Sequence, residues 1–177
     1  MKKKMTVLFC AIGVFCVLSG VFFLVKSRSA AYEESQKTHY DTLIDLTANN
    51  IARIEWETSD GGKLAFARES GVWKYEYDES LQVDQEAVNL LSSGMTGVSV
   101  YQVIPDVADL AHYGLDAPAY KISVTDRDGK TTTVLIGDNN ETAGSVYAAY
   151  EGEPDTVYSV QPSIKAAVEK KLSDFTG

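Results

Sequence analysis

Beyond residue 31 the chain contains no cysteine, because Cys10 and Cys16 both fall in the opening apolar run. The rest therefore has no disulfide staple, no cysteine zinc site and no thiol nucleophile, and its core must stabilise itself. Acid is missing from the first 31 residues, which carry Lys2, Lys3, Lys4, Lys26 and Arg28. Base is scarce in the remaining 146, where 11 Lys and Arg face 25 Asp and Glu, a formal net charge of −14. So acidic a surface repels nucleic acid and anionic headgroups, and we expect no nucleic-acid partner. Three motifs are also missing: a glycine-rich phosphate loop, an HExxH helix and a Gly-x-Ser-x-Gly elbow.

What is present begins with residues 5–25, a run of 21 residues without a charge. As a helix it would be about 31 Å long, enough to cross a hydrocarbon core of about 30 Å. The basic tip at residues 1–4 precedes it, so the expected topology keeps the N-terminus in the cytoplasm and exports the rest. A cleaved signal peptide is the alternative, with Ser29-Ala30-Ala31 as the cleavage site. Its apolar region is normally about 7–15 residues long, however, and Lys26 and Arg28 interrupt the approach to the site. Phe9 and Phe15 stand where a small residue would have to precede a lipid-modified cysteine. Residues 26–50 read as a polar juxtamembrane spacer, and residues 51–177 as an extracytoplasmic domain of a size that holds one core.

Period-2 alternation marks the strands. Ile54, Trp56 and Thr58 share one face of the first, and a turn at Asp60-Gly61-Gly62 leads into Leu64, Phe66 and Arg68. After Ser70-Gly71 comes Val72 to Tyr77, completing a three-stranded meander. Asp84 caps a helix whose apolar stripe is Ala87, Val88, Leu91 and Met95, ended by Gly94 and Gly97. Ser99 to Ile104 forms another strand. A short helix then starts after Pro105, with Asp106 as cap and Asp109 in its first turn. Gly114 takes the left-handed position that ends it, Leu115 folds back on Leu110 or Ala111, and Pro118 bars continuation. Two hairpins follow: Tyr120–Thr125 with Thr131–Ile136 around Asp128-Gly129, and Val146–Tyr150 with Thr156–Val160 around Glu151–Pro154. Asp138–Gly144 reads as a polar loop between them. After Pro162 a last helix carries Ile164, Ala167, Val168 and Leu172 on one face.

The expected fold is thus α+β. It is a mostly antiparallel sheet of two meander or hairpin units, each followed by a packing helix, plus the N-terminal transmembrane helix. Repeated Gly-Lys turns (Gly62-Lys63, Gly129-Lys130) hint at an internal duplication but are too few to show one.

Four groups of residues invite a chemical reading. His112 lies among Asp109, Tyr113 and Asp116, as a general base would, but a helix C-terminus places an imidazole favourably for structural reasons. Trp56, Trp73, Tyr75 and Tyr77 suit a sugar-stacking platform, yet aromatics at period 2 more often line a core. Asp126-Arg-Asp128-Gly129 lacks the third ligand and the distal glutamate of a calcium loop. Asp138, Asn139, Asn140 and Glu141 offer oxygens in a row rather than at alternating positions. We therefore expect no catalytic residue, no metal ligand and no cofactor.

Several segments together resemble the bacterial domain-of-unknown-function family 4340. They are Ile51 and Ile54, Gly71-Val-Trp73, Gln82-Val-Asp84-Gln-Glu-Ala, Leu135-Ile-Gly137 and Val157-Tyr-Ser-Val160. The most specific is Asp109-Leu-Ala-His-Tyr-Gly-Leu-Asp-Ala-Pro118. The resemblance implies a membrane-anchored extracytoplasmic protein, some relatives being encoded with ABC-type transporter components. It carries no catalytic residues over. The expected function is a non-enzymatic accessory or interaction domain in the bacterial cytoplasmic membrane, with protein partners in a transporter or envelope complex. The alternatives are a glycan or small-ligand binding domain, or an envelope hydrolase using acidic residues.

Overall fold

The structure, a computed structural model, describes residues 42–177. The basic tip, the apolar run at 5–25 and most of the spacer lie outside the described residues. Among those described, no helix is long and apolar enough to cross a membrane.

The first three strands, β1 (Ile51–Thr58), β2 (Lys63–Glu69) and β3 (Val72–Tyr75), form the expected meander. Then come α1 (Gln85–Thr96), β4 (Val100–Ile104) and a 3₁₀ turn over Leu110–Tyr113. The second half holds β5 (Tyr120–Asp126), β6 (Thr131–Asn140), β7 (Ser145–Tyr150), β8 (Val157–Val160), α2 (Ser163–Val168) and a 3₁₀ turn over Leu172–Phe175. The class is α+β, as expected. The two strand groups, however, are not separate units. They merge into one eight-stranded antiparallel sheet in the order β3-β2-β1-β5-β6-β7-β8-β4. The join is the β1–β5 ladder, where Ile54 faces Val124 and Trp56 faces Ile122. Both strands carry their apolar residues at period 2, so this register puts all four side chains on one buried face. β4 crosses to the far edge and pairs with β8.

Both helices cover that face. Asp84 caps α1 by accepting from the backbone N–H groups of Glu86 and Ala87, and Val88, Leu91 and Met95 point into the core. Gly97 ends the helix, while Gly94 lies inside it. The last apolar stripe does not form one helix. α2 stops at Val168, and the chain resumes as a 3₁₀ turn that buries Phe175 against Trp56 and Phe66, ring centroids 5.9 and 5.1 Å away.

Three further differences have local causes. Thr42–Leu46, expected in the spacer, belongs to the body: Leu43 and Ile44 are core residues, and the Leu43 N–H donates to the Val98 carbonyl at 2.8 Å. β6 does not end at Gly137. A register shift between Ile136 and Asn139 lets the strand run on to Asn140, and the polar residues that suggested a loop are the far side of this bulge. The central turn is capped by Asp109, which accepts from the Ala111 N–H, whereas Asp106 sits outside it at φ 57°.

Candidate functional site

The Tyr113-Gly114-Leu115 turn lies on the sheet face opposite the helices. Gly114 is left-handed at φ 65°, which lets the Leu115 N–H return to the Leu110 carbonyl at 3.1 Å. Leu115 is buried with Ala149 and Val157, and Tyr113 meets Tyr147 edge-on at 4.9 Å. The seat of the turn is Gly137: a Cβ there would lie 2.1 Å from the Tyr113 carbonyl oxygen and 3.0 Å from Leu115 Cγ. So Tyr113-Gly-Leu and Leu135-Ile-Gly137, far apart in sequence, are two halves of one packing contact.

Of the four residues that invited a catalytic reading, this geometry keeps His112 beside Asp109 and packs Tyr113 against Tyr147. His112 points outward with its side chain 79% exposed, and its Nδ1 is 3.5 Å from Asp109 Oδ2. Tyr113 packs inward against Tyr147, and Asp116 is exposed. The tryptophans are core residues, Trp56 at 0% and Trp73 at 1% exposure, and Tyr77 stands out of the sheet at 55%. Burial of both indoles removes the stacking platform that a glycan reading required of them. The two acidic loops spend their oxygens on their own backbone and neighbours. Asp126 accepts from the N–H groups of Asp128 and Lys130, Asn140 from that of Ala143, and Asn139 from Lys165 Nζ at 2.9 Å. Among the described residues, no three His, Cys, Asp or Glu side chains are grouped to hold a metal ion.

A concavity lies elsewhere, at the end of the sheet where two hairpin turns meet the chain entering β1. It is an open groove of about 660 Å³. One wall is Leu43, Asp45 and Leu46, the floor is Thr131 to Thr133 with Tyr150, and the rims are Asp126 with Lys130 and Glu151 to Glu153. The Tyr150 hydroxyl donates to the Leu43 carbonyl, which fixes the wall on the floor. Four carboxylates border the groove, those of Asp45, Asp126, Glu151 and Glu153. Glu151 is ion-paired with Lys121, and Glu153 accepts from the Tyr158 hydroxyl at 2.8 Å. The sequence reading missed this groove. Its three segments are far apart in sequence: both hairpin turns were expected, but nothing in the sequence joins them to Leu43–Leu46.

The family model described as Domain of unknown function (DUF4340) matches residues 73–176. The chain belongs to that family. No curated protein and no solved structure matches it. The DUF4340 match begins at β3 and runs to the last 3₁₀ turn, so it includes the Tyr113–Gly137 contact and both groove rims. β1 and β2 precede the match, yet β1 sits between β2 and β5 in mid-sheet. The Ile51 and Ile54 positions thus lie outside the DUF4340 segment but inside its core.

Proposed function

We propose that this DUF4340 chain is a non-enzymatic accessory domain. Residues 5–25 hold it outside the cytoplasmic membrane, where it docks a protein partner of a transporter or envelope complex. The observation that carries the reading is the state of the groove's acids. Asp126 closes its own turn, Glu151 is held by Lys121, and Glu153 is held by Tyr158. Carboxylates fixed in this way shape a recognition surface. A hydrolase would need two of them free and converging on one reacting atom. The uncharged 21-residue run and the acidic body beyond it support the anchored topology.

Crosslinking in intact membranes followed by isolation of the full chain tests the docking. Co-isolation of transporter or envelope subunits is expected, and weaker capture by the Asp45→Arg, Glu153→Arg variant would place the contact at the groove. Recovery of the chain alone would reject the docking role. Fractionation tests the anchor: the chain should stay in the membrane fraction, and a soluble form beginning at Ala30 or Tyr32 would refute it.

A further inference from the structure

The β6–β7 hairpin carries a motif that the groove and the docking role leave unused. Asn140 ends β6 and pairs with Ser145 across a turn of residues 141–144. The Ala143 N–H closes that turn by donating to the Asn140 carbonyl at 3.2 Å. The chain here reads Asn140-Glu141-Thr142, with Asp138 two residues before the asparagine. Asn-x-Thr with a middle residue other than proline is the acceptor pattern for N-linked glycans. Bacterial acceptors add an acid at the position that Asp138 holds. Asn49, Asn50, Asn89 and Asn139 stand in no such pattern.

The side chains of the turn are arranged for such a transfer. The Asn139 amide is already spent: its Oδ1 accepts from Lys165 Nζ at 2.9 Å, and its Nδ2 reaches Glu141 at 3.5 Å. Asn140 differs. Its Oδ1 accepts from the Ala143 N–H at 3.1 Å, which fixes the amide, while its Nδ2 donates to nothing among the described residues. The Thr142 hydroxyl and the Asp138 carboxylate likewise make no hydrogen bond among the described residues. Asp138, Glu141 and Thr142 are exposed and Asn140 is half-buried. The reacting nitrogen, the hydroxyl and the acid are thus open to an enzyme. Residues 141–144 lie beyond the ladder, so gripping them disturbs no more than the final β6–β7 pair. Thr131, at the other end of β6, is in the groove floor, roughly 30 Å away along the strand. A sugar on Asn140 would leave the groove open.

We propose that Asn140 is an N-glycosylation site of the exported body. The placement rests on the anchored topology proposed above and not on the docking role. The donor is a glycan carried on a polyprenyl diphosphate, and the catalyst is a membrane oligosaccharyltransferase. Asn140 Nδ2 bonds to the anomeric carbon of the first sugar. The bond from that carbon to the phosphate oxygen breaks, and its electron pair leaves with the polyprenyl diphosphate. Nδ2 gives up one proton to a basic group of the transferase, and nothing is oxidised or reduced.

The test is mass spectrometry of the full chain isolated from its own membranes, read on the tryptic peptide of residues 131–165. That peptide should carry a sugar on Asn140. Thr142→Ser should keep it, and Thr142→Ala, Asp138→Ala and Asn140→Gln should each lose it. Protease added to intact cells is read in parallel. A bare peptide from a body that the protease reaches would overturn the proposal, as would a sugar retained by Thr142→Ala. A body that the protease does not reach would refute the exported placement, and purified components then decide the acceptor by themselves. In that arm the folded chain meets a bacterial oligosaccharyltransferase and a polyprenyl-diphosphate-linked N-acetylhexosamine. One hexosamine should appear on Asn140; a chain left bare beside a modified control peptide, or modified only in urea, would also overturn the site.

Discussion

Replacing Gly137 with alanine should be one of the most damaging single-methyl changes available in this domain. The added Cβ would lie 2.1 Å from the Tyr113 carbonyl oxygen and 3.1 Å from the Gly114 carbonyl carbon. Both atoms are backbone, so no side-chain rotation relieves the clash. Either β6 bends away or the 110–115 turn lifts off the sheet. Overpacking of this kind costs about 1–3 kcal/mol. If the turn lifts, Leu115 loses its burial at a further cost of roughly 1.5–3 kcal/mol. Together these make a loss of about 2.5–6 kcal/mol, a large part of the roughly 5–15 kcal/mol typical of a folded domain. At about 3–4 °C per kcal/mol for a body of this size, Tm should fall by roughly 8–24 °C. The assay is thermal unfolding of the full chain followed by near-ultraviolet circular dichroism. Gly152→Ala is the control, because a Cβ there meets nothing within 4 Å. A Gly137→Ala protein that melts within about 2 °C of the parent would refute this account, since it would put the cost below 1 kcal/mol.

Three further outcomes follow from the same structure. Gly94 lies inside α1 with open space around its Cβ position, so Gly94→Ala should stabilise the chain by about 0.5–1 kcal/mol in urea unfolding. Phe175→Ala should cost about 3–5 kcal/mol in the same assay because it empties the centre of the Trp56–Phe66 cluster. Tyr75 and Tyr120 have pKa values raised above 10, in each case chiefly by burial and then by nearby negative charge. The unfolded chain therefore loses these protons first. Their contribution to stability should be complete below pH 10 and fall as pH rises through the higher folded values. Urea midpoints measured from pH 8 to 11.5 should show the decline, and Tyr75→Phe should reduce it.

Local features were legible in the sequence and non-local ones were not. Asp84 before an apolar stripe at helical spacing located α1, and Gly114 located the left-handed stop, because each signal lies within a few residues of its effect. The strand order was hidden, since nothing near Val100 to Ile104 says that it will lie beside β8 rather than beside the meander. Leu43 and Ile44 were hidden for another reason: two apolar residues in a polar stretch make no period, yet one of them pairs with Val98. The bulge at Gly137 broke the alternation that identifies a strand, so the end of β6 looked like a loop. The final helix was overextended because Leu172 continues the stripe through a break that its spacing does not reveal. The candidate sites suffered most. The groove draws on segments that only the sheet order brings together.

The placement of Phe175 has a consequence for how the protein is made. The segment that opens α1 is held by Phe175 and Thr176: the Asp84 N–H donates to the Phe175 carbonyl at 2.8 Å, and Val83 bridges Thr176. The same phenylalanine fills the cluster around Trp56 on β1. A growing chain that has produced all eight strands still lacks the piece that seals its centre. The nascent body must wait, with Trp56 and Phe66 unsealed, until residues 172–176 have been made. Ribosome stalling or proteolytic clipping before Phe175 would therefore leave a chain with every strand in place and an open core.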